Sequence, residues 1–296
     1  MQRYSFWLLL LVTLYVSACA LYVVATPIGN MRDISLRALD VLNGADTIAA
    51  EDTRNSAHLL GAHGISGKKL LALHQHNERG AAEKVIKLLA QGMAVALITD
   101  AGTPAVSDPG ALVVEDVRSA GYKVIPIPGA NAAVAALSAA GLATPHFLFY
   151  GFLPNKSVAR CKALQTMIEH PYTLVFYEAP HRILECVADL HTVFGEDREI
   201  VLAREVTKLF ESIHRCKLGE ATAWLNSDPN NLRGEFVVLV SAAPEREQGL
   251  AAETEQVLKT LLAELPLKQA VQLAVQITGA GKNELYQRAL VLKQEE

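Results

Sequence analysis

Short apolar runs alternate with helical patterns along the first half of the chain. LYVVAT (Leu21–Thr26) reads as a buried strand, SLRALDVLNGA (Ser35–Ala45) as a helix capped by Ser35, and DTIAAED (Asp46–Asp52) as the next strand. EKVIKLLAQG (Glu83–Gly92) has the period of a helix closed by glycine, and MAVALITD (Met93–Asp100) is a continuous apolar strand. ALVVEDVRSAG (Ala111–Gly121) is helical again, and YKVIPIPG (Tyr122–Gly129) is a strand. Strand, helix, strand in this order predicts an α/β fold, a parallel sheet with helices on both faces.

From Pro128 the texture changes. PGANAAVAALSAAGLAT is a helix of small residues, and FLFYGFL (Phe147–Leu153) and TLVFYEA (Thr173–Ala179) are strands carrying aromatics. HRILECVADLHTVFG (His181–Gly195) is a helix, and REIVLARE (Arg198–Glu205) and RGEFVVLVSAA (Arg233–Ala243) are two more strands. A boundary near Ile127 divides an N-terminal α/β domain, 21–127, from a C-terminal α/β domain, 128–243, and so short a connection predicts that they meet across a cleft. PEREQG (Pro244–Gly249) reads as a linker opening a helical tail, 244–296. Its last two helices read as a helix-turn-helix, with Gly279 and Gly281 in the turn and Asn283 as a cap.

Composition supports a large globular core, with 51% hydrophobic, 20% charged and 6% aromatic residues in 296. The net charge of −4 excludes a protein that grips nucleic acid over its whole surface, while leaving room for a local basic patch. Lys156, Arg160 and Lys162, and again Lys268, Lys282 and Arg288, are candidates for such a patch. The four cysteines are widely spaced without a CxxC pair, so neither a zinc site nor a disulfide framework is expected. HQH at His74–His76 lacks further ligands nearby and reads as solvated loop, so no metal is predicted.

Candidate chemistry collects in the loops after the strands, where open α/β sheets bind ligands. TPIGN (Thr26–Asn30), EDTR (Glu51–Arg54), DAGTPAVSDPG (Asp100–Gly110) and PGANAA (Pro128–Ala133) all fall there. Taken singly, each reads equally as a tight turn or helix cap. Together they are small, polar and permissive of close backbone approach. Neither a GxxxxGK phosphate loop nor a GxGxxG dinucleotide loop is present. An adenosine-bearing cofactor without a pyrophosphate fits better, with Asp100 as the best-placed carboxylate for its hydroxyls and amine.

These loops, together with YEAPHR (Tyr177–Arg182), AREVTK (Ala203–Lys208), RGEFVVLV (Arg233–Val240) and the KNELYQRAL tail, resemble the tetrapyrrole methylase superfamily, and within it the branch that methylates ribosomal RNA. TPIGN stands where small-molecule members are expected to show a GxGxGD-like loop, and that departure favours the RNA branch. The resemblance implies S-adenosyl-L-methionine in a cleft between two α/β domains, a homodimer, and 2'-O-methylation of a cytidine ribose in the decoding region of 16S rRNA in the small ribosomal subunit. It implies that Asp100, Ala101, Gly102, Thr103 and Ser107 line the methionine and ribose side of the cofactor. Pro128, Gly129, Ala130 and Ala132 would approach from the interdomain strand, and Tyr177 and Glu178 from the second domain.

Methyl transfer from a sulfonium is an in-line displacement, so alignment carries most of the gain and no covalent nucleophile is needed. A ribose hydroxyl is weakly acidic, and a base or a cation beside the developing alkoxide helps. Candidates are Arg54, Glu178, Glu205 and Lys208, with Glu51, Asp52 and Arg204 in the same motifs. Two rivals stay open: a small-molecule methyltransferase, which has no need of the helix-turn-helix, and a non-catalytic ribosome-associated RNA-binding protein, which has no need of an intact DAGTP loop. The apolar run FWLLLLVTLYVSACA after MQR ends A-x-A at Ala20 and reads as a secretory signal. It conflicts with a cytoplasmic cofactor and substrate, and is read as a misassigned start or an extension, 1–20.

Overall fold

A computed structural model describes residues 16–143, 145–244 and 252–293. Most of the signal-like run and the body of the PEREQG stretch lie outside them. Among the described residues, no helix is long and apolar enough to cross a membrane.

The first sheet contains β1 (Ala20–Val24), β2 (Thr47–Ala50), β3 (Lys69–Ala72), β4 (Val95–Ile98) and β5 (Lys123–Ile127), in the order β3-β2-β4-β1-β5. All its pairings are parallel. Strand alternation sends Tyr22, Val24, Ala96 and Ile98 into one core with Val41 and Leu42 of α1 (Leu36–Gly44). Leu21, Val95 and Leu97 point the other way, onto Val85 of α3 (Glu78–Ala90) and Val113 of α4 (Ala111–Ser119). The expected parallel sheet with helices on both faces is therefore present.

Two elements of this half escape the hydrophobic pattern. α2 (Thr53–Ala62) begins inside the EDTR motif, with Asp52 as its N-cap, so Arg54 is helical and not in a loop. β3 is a half-exposed edge strand. The DAGTPAVSDPG loop consequently follows the fourth strand and not the third.

The second sheet contains β6 (Phe147–Phe152), β7 (Thr173–Glu178), β8 (Glu199–Arg204), β9 (Ser212–Lys217) and β10 (Phe236–Val240), in the order β6-β7-β10-β8-β9. β6 and β7 run parallel and the other pairs antiparallel, a mixed sheet. Phe176, Leu202 and Val238 face a core shared with α7 (Ile183–Phe194) and α8 (Leu218–Ser227). Val175, Val201 and Leu239 face Ala133 and Ala136 of α5 (Ala132–Ala139). Small residues let α5 lie close on the sheet and bring its N-terminus to the cleft side.

Arg160, offered above as part of a basic patch, is fully buried in α6 (Ser157–Gln165) and bound to Asp189. Its charge belongs to the scaffold, because an unpaired buried guanidinium is too costly to keep.

Residues from Pro244 onward form a second compact unit. Its helices are α9 (Ala252–Glu264), α10 (Leu267–Thr278) and α11 (Lys282–Leu292), packed around Leu258, Val271, Ala274 and Leu285. α10 ends at Gly279 in the left-handed conformation (φ 71°). The N-cap of α11 is Gly281 and not Asn283, which sits within the first helical turn. Arg288, partly exposed, pairs with Glu255 of α9 at 2.7 Å, so its charge already has a partner within this unit.

Candidate functional site

The loops after β1, β4 and β5 are stitched into one rim by main-chain hydrogen bonds. Thr26 and Gly102 exchange both of theirs, at 2.8 and 3.1 Å, and Ala25 N–H donates to Ile127 O at 3.2 Å. The buried Thr26 hydroxyl also donates to Thr99 O at 3.1 Å. Thr103 Oγ1 donates to Ala130 O at 3.2 Å, tying DAGTP to PGANAA. Gly129 allows this closeness: a Cβ there would stand 2.9 Å from the Ala25 Cβ.

Beyond Thr103 the loop coils tightly. Ala105 (φ 65°) and Ser107 (φ 64°) are left-handed without being glycine, a strain retained only where the surroundings over-determine it. Ala105 N–H donates to Pro109 O at 3.3 Å, and Glu78 of α3 accepts from the N–H groups of Gly110 and Leu112, fixing the start of α4. The second sheet bears on the loop through the β6 bulge. A Cβ on Gly151 would lie 2.6 Å from Ser107 Oγ, which is why the bulge carries glycine.

Two adjoining cavities open along this rim. One, of about 420 Å³, is lined by Ala101, Gly102 and Asp108 from the loop after β4, by Ala132 of α5, and by Tyr177 and Glu178 from β7. The other, of about 310 Å³, is lined by Gly29, Asn55, Ser56, His58 and Asp100. Ile28, Ala101, Lys208 and Glu235 face both.

Asp100 is held by its neighbours: it accepts from Asp52 N–H at 3.2 Å and from Asn55 Nδ2 at 2.8 Å. Its own N–H donates to Glu51 at 3.4 Å. Burial, then the Asp100 and Asp52 charges, push the Glu51 carboxyl above its usual range, against a lowering backbone hydrogen bond. Asp108 lies in the same field, and burial together with Glu51 and Asp100 pushes it up to about 6. Tyr177 hydroxyl accepts from Ala133 N–H at 3.3 Å, and burial, with Asp108 adding to it, raises its phenol.

Glu178 is 2% exposed. Its Oε1 accepts from Ala179 N–H at 2.9 Å and pairs with Arg182 Nε at 3.1 Å, and the carboxylate lies against the buried Cys186 thiol. Lys208 Nζ bridges Glu205 Oε1 and Glu235 Oε2, each at 2.8 Å, and its stem packs on Gly29. Burial works against both charges of the Glu205–Lys208 pair, yet their mutual contact outweighs it: Glu205 is held below its usual range and Lys208 above. Glu205 (φ 53°) and Thr207 (φ 70°) are left-handed, so this loop carries strain as well.

The structure thus brings Ala101, Gly102, Ala132, Tyr177, Glu178, Glu205 and Lys208 around one cavity, with Asp100 in its neighbour. Thr103 and Ser107 brace the loop. Pro128, Gly129 and Ala130 form its backbone rim and do not line either cavity. Arg54, 88% exposed, donates to Asp52 at 2.7 Å and lies outside both. Arg204 is buried against Ser212 and the Arg233 carbonyl. Asp108 lies within the DAGTPAVSDPG loop but does not stand out in the sequence, because Asp100 occupies the strand-end position that α/β sheets favour. Glu235 does not stand out either, as an ordinary charge ahead of an apolar strand.

Residues 20–222 match the family described as Tetrapyrrole (Corrin/Porphyrin) Methylases, and residues 248–293 match the RsmI C-terminal HTH domain. The chain is 53% identical over 276 residues to ribosomal RNA small subunit methyltransferase I of Pseudomonas aeruginosa, covering 93% of this chain and 98% of that relative. Among solved structures, a cobalamin biosynthetic cobalt precorrin-4 methyltransferase aligns with a TM-score of 0.57 at 18% identity, over 75% of this chain and 95% of that one. Uroporphyrin-III C-methyltransferase from Thermus thermophilus, complexed with S-adenosylhomocysteine, aligns with a TM-score of 0.53 at 16% identity, over 75% and 97%. These two likenesses concern the fold.

Proposed function

The chain belongs to the tetrapyrrole methylase family and, within it, to the ribosomal RNA small subunit methyltransferase I group, and from this we propose that it methylates small-subunit ribosomal RNA with S-adenosylmethionine. The acceptor in this reading is the ribose 2'-oxygen of one cytidine in the decoding region of 16S RNA, and the working form is a homodimer. The observation that carries it is the pair of adjoining cavities with a common wall, which gives a methyl donor and an acceptor separate seats within reach of each other.

The larger cavity suits the cofactor. Ala101, Gly102 and Ala132 are small enough to leave room for an adenosine there. Asp100, Thr103, Ser107, Pro128, Gly129, Ala130 and Tyr177 support this seat directly or through the loop. When bound, the cofactor supplies a methyl group on a cationic sulfur, open to in-line displacement.

The smaller cavity suits the acceptor nucleotide. Lys208 faces both seats, and Glu205 and Glu235 hold its ammonium in place as a hydrogen-bond donor beside the acceptor nucleotide. Exposed Arg54, beside the smaller cavity's α2, suits a phosphate of the RNA. The homology of residues 248–293 supports an RNA substrate over a small molecule.

The test incubates the full chain with tritiated S-adenosylmethionine and small subunits from a strain lacking this gene, and identifies the labelled nucleotide by mass spectrometry. Label on the 2'-oxygen of one 16S cytidine is expected. Bound cofactor without RNA label refutes the reading.

A further inference from the structure

Of the carboxylates lining the two cavities, Asp108 stands apart. Asp100, Glu178, Glu205 and Glu235 each accept a hydrogen bond or hold an ion pair. No described residue donates to Asp108. It nevertheless stands on rigid backbone, after left-handed Ser107 and before Pro109, whose carbonyl closes the coil on Ala105. A carboxylate held firmly and left without a partner is prepared for something the chain does not supply.

Its surroundings say what kind of group. Asp108 lines the larger cavity, yet the charges that act on it are Glu51, after β2, and Asp100, which lines the smaller one. Tyr177, Glu178, His181, Glu205, Lys208 and Glu235 complete the ionisable wall of its cavity. Lys208, the cation among these lining residues, is already bound by two carboxylates. Negative potential in this cavity is thus left for a cation to relieve.

Building on the proposed function, we infer that Asp108 makes the cavity select a sulfonium cofactor over its neutral thioether product. Methyl transfer breaks the carbon–sulfur bond, leaves its electron pair on sulfur and removes the positive charge, while the acceptor oxygen bonds the methyl carbon and gives its proton to water. Asp108 attracts the donor before that event and loses its hold on the product afterwards. The remaining parts of the two ligands are identical, so this carboxylate discriminates between them by charge.

Calorimetric binding of S-adenosylmethionine and S-adenosylhomocysteine tests this without turnover. A carboxyl near 6 is mostly protonated at pH 5, so the sulfonium ligand should bind about fivefold more weakly there than at pH 7.5. The thioether should change less than about twofold, which separates Asp108 from Glu51, His181 and other groups that both ligands meet alike. D108N should weaken the sulfonium ligand about tenfold at pH 7.5, abolish its pH dependence, and leave the thioether unchanged. The wild-type pH series stands even if that variant folds poorly. Equal losses for both ligands would overturn the inference, as would unchanged affinities with collapsed turnover, the mark of a proton acceptor. Failure of wild-type protein to bind either ligand would instead refute the assignment of the cavity.

Discussion

Arg160→Ala asks whether a cation that looks like an RNA contact in the sequence is scaffold in the fold. The side chain is fully buried: Nε donates to Asp189 at 2.6 Å, and NH1 reaches the carbonyls of Pro154 and Asn155 at 3.4 and 3.3 Å. Truncation leaves Asp189, 15% exposed, without its cation, and both carbonyls without that donor. Breaking a buried pair from one side costs about 3–5 kcal/mol. At about 2–4 °C per kcal/mol for a unit of this size, the melting temperature should fall by about 6–20 °C. Arg160→Met with Asp189→Leu removes both charges and should recover most of the loss, since apolar replacement of a buried pair is often neutral or better. Urea unfolding followed by Trp224 fluorescence measures the stability, and filter binding to small-subunit RNA measures the contact. An alanine variant within about 1 kcal/mol of wild type, but with weakened RNA binding, would refute the reasoning and return Arg160 to the surface role.

Two further outcomes follow from the site. Gly129→Ala places a methyl 2.9 Å from the Ala25 Cβ and 3.3 Å from its carbonyl oxygen, so the rim must shift; a cost of about 1–3 kcal/mol in stability and at least about tenfold in S-adenosylmethionine affinity is expected by melting and calorimetry, and unchanged affinity would show that the rim is not part of the seat. The Glu205–Lys208 contact should be visible in stability against pH. Because the Glu205 carboxyl is depressed below 4.5 in the fold, its contribution is present above that value and lost as pH falls through the depressed one; because Lys208 is raised above 10.5, its share is present below that value and lost as pH rises through the raised one. Urea midpoints of wild type and Glu205→Gln should converge below pH 4, and a constant gap would exclude the pair as the cause.

Legibility in the sequence followed how each element buries itself. β1, β4 and β10 are buried on both faces, and their unbroken apolar runs announce them. β3 and β9 are edge strands of mixed or alternating exposure, and SIHRCK carries too many polar groups to read as a strand. α6 buries Arg160 and Leu164, so the periodic signal of that helix is broken by the charge it hides. α2 was masked by its own start, because Asp52 and Arg54 read as loop chemistry when Asp52 is a cap. The DAGTPAVSDPG loop is legible as a cavity wall because, Val106 apart, nothing in it could fill a core. The standing of Asp108 is not, since it depends on Glu51 and Asp100 arriving from other strands. Asn283 misled as a cap because Gly281, two residues earlier, already ends the turn.

The placement of β1 also sets an order of assembly. It is the first strand of the sheet in the chain, yet its neighbours are β4, beginning at Val95, and β5, beginning at Lys123. The bridge between Thr26 and Gly102 likewise joins residues far apart in sequence. Such contacts require large loops to close before they repay the entropy lost, and they slow folding. A growing chain therefore holds β1 in waiting while β2, β3 and their helices emerge, and the rim around Gly102 becomes solid only after β5 has been made. The loops of the rim are the last of their sheet to set, so a fragment ending before Lys123 should lack the rim and the cavities beside it even where its earlier helices have formed.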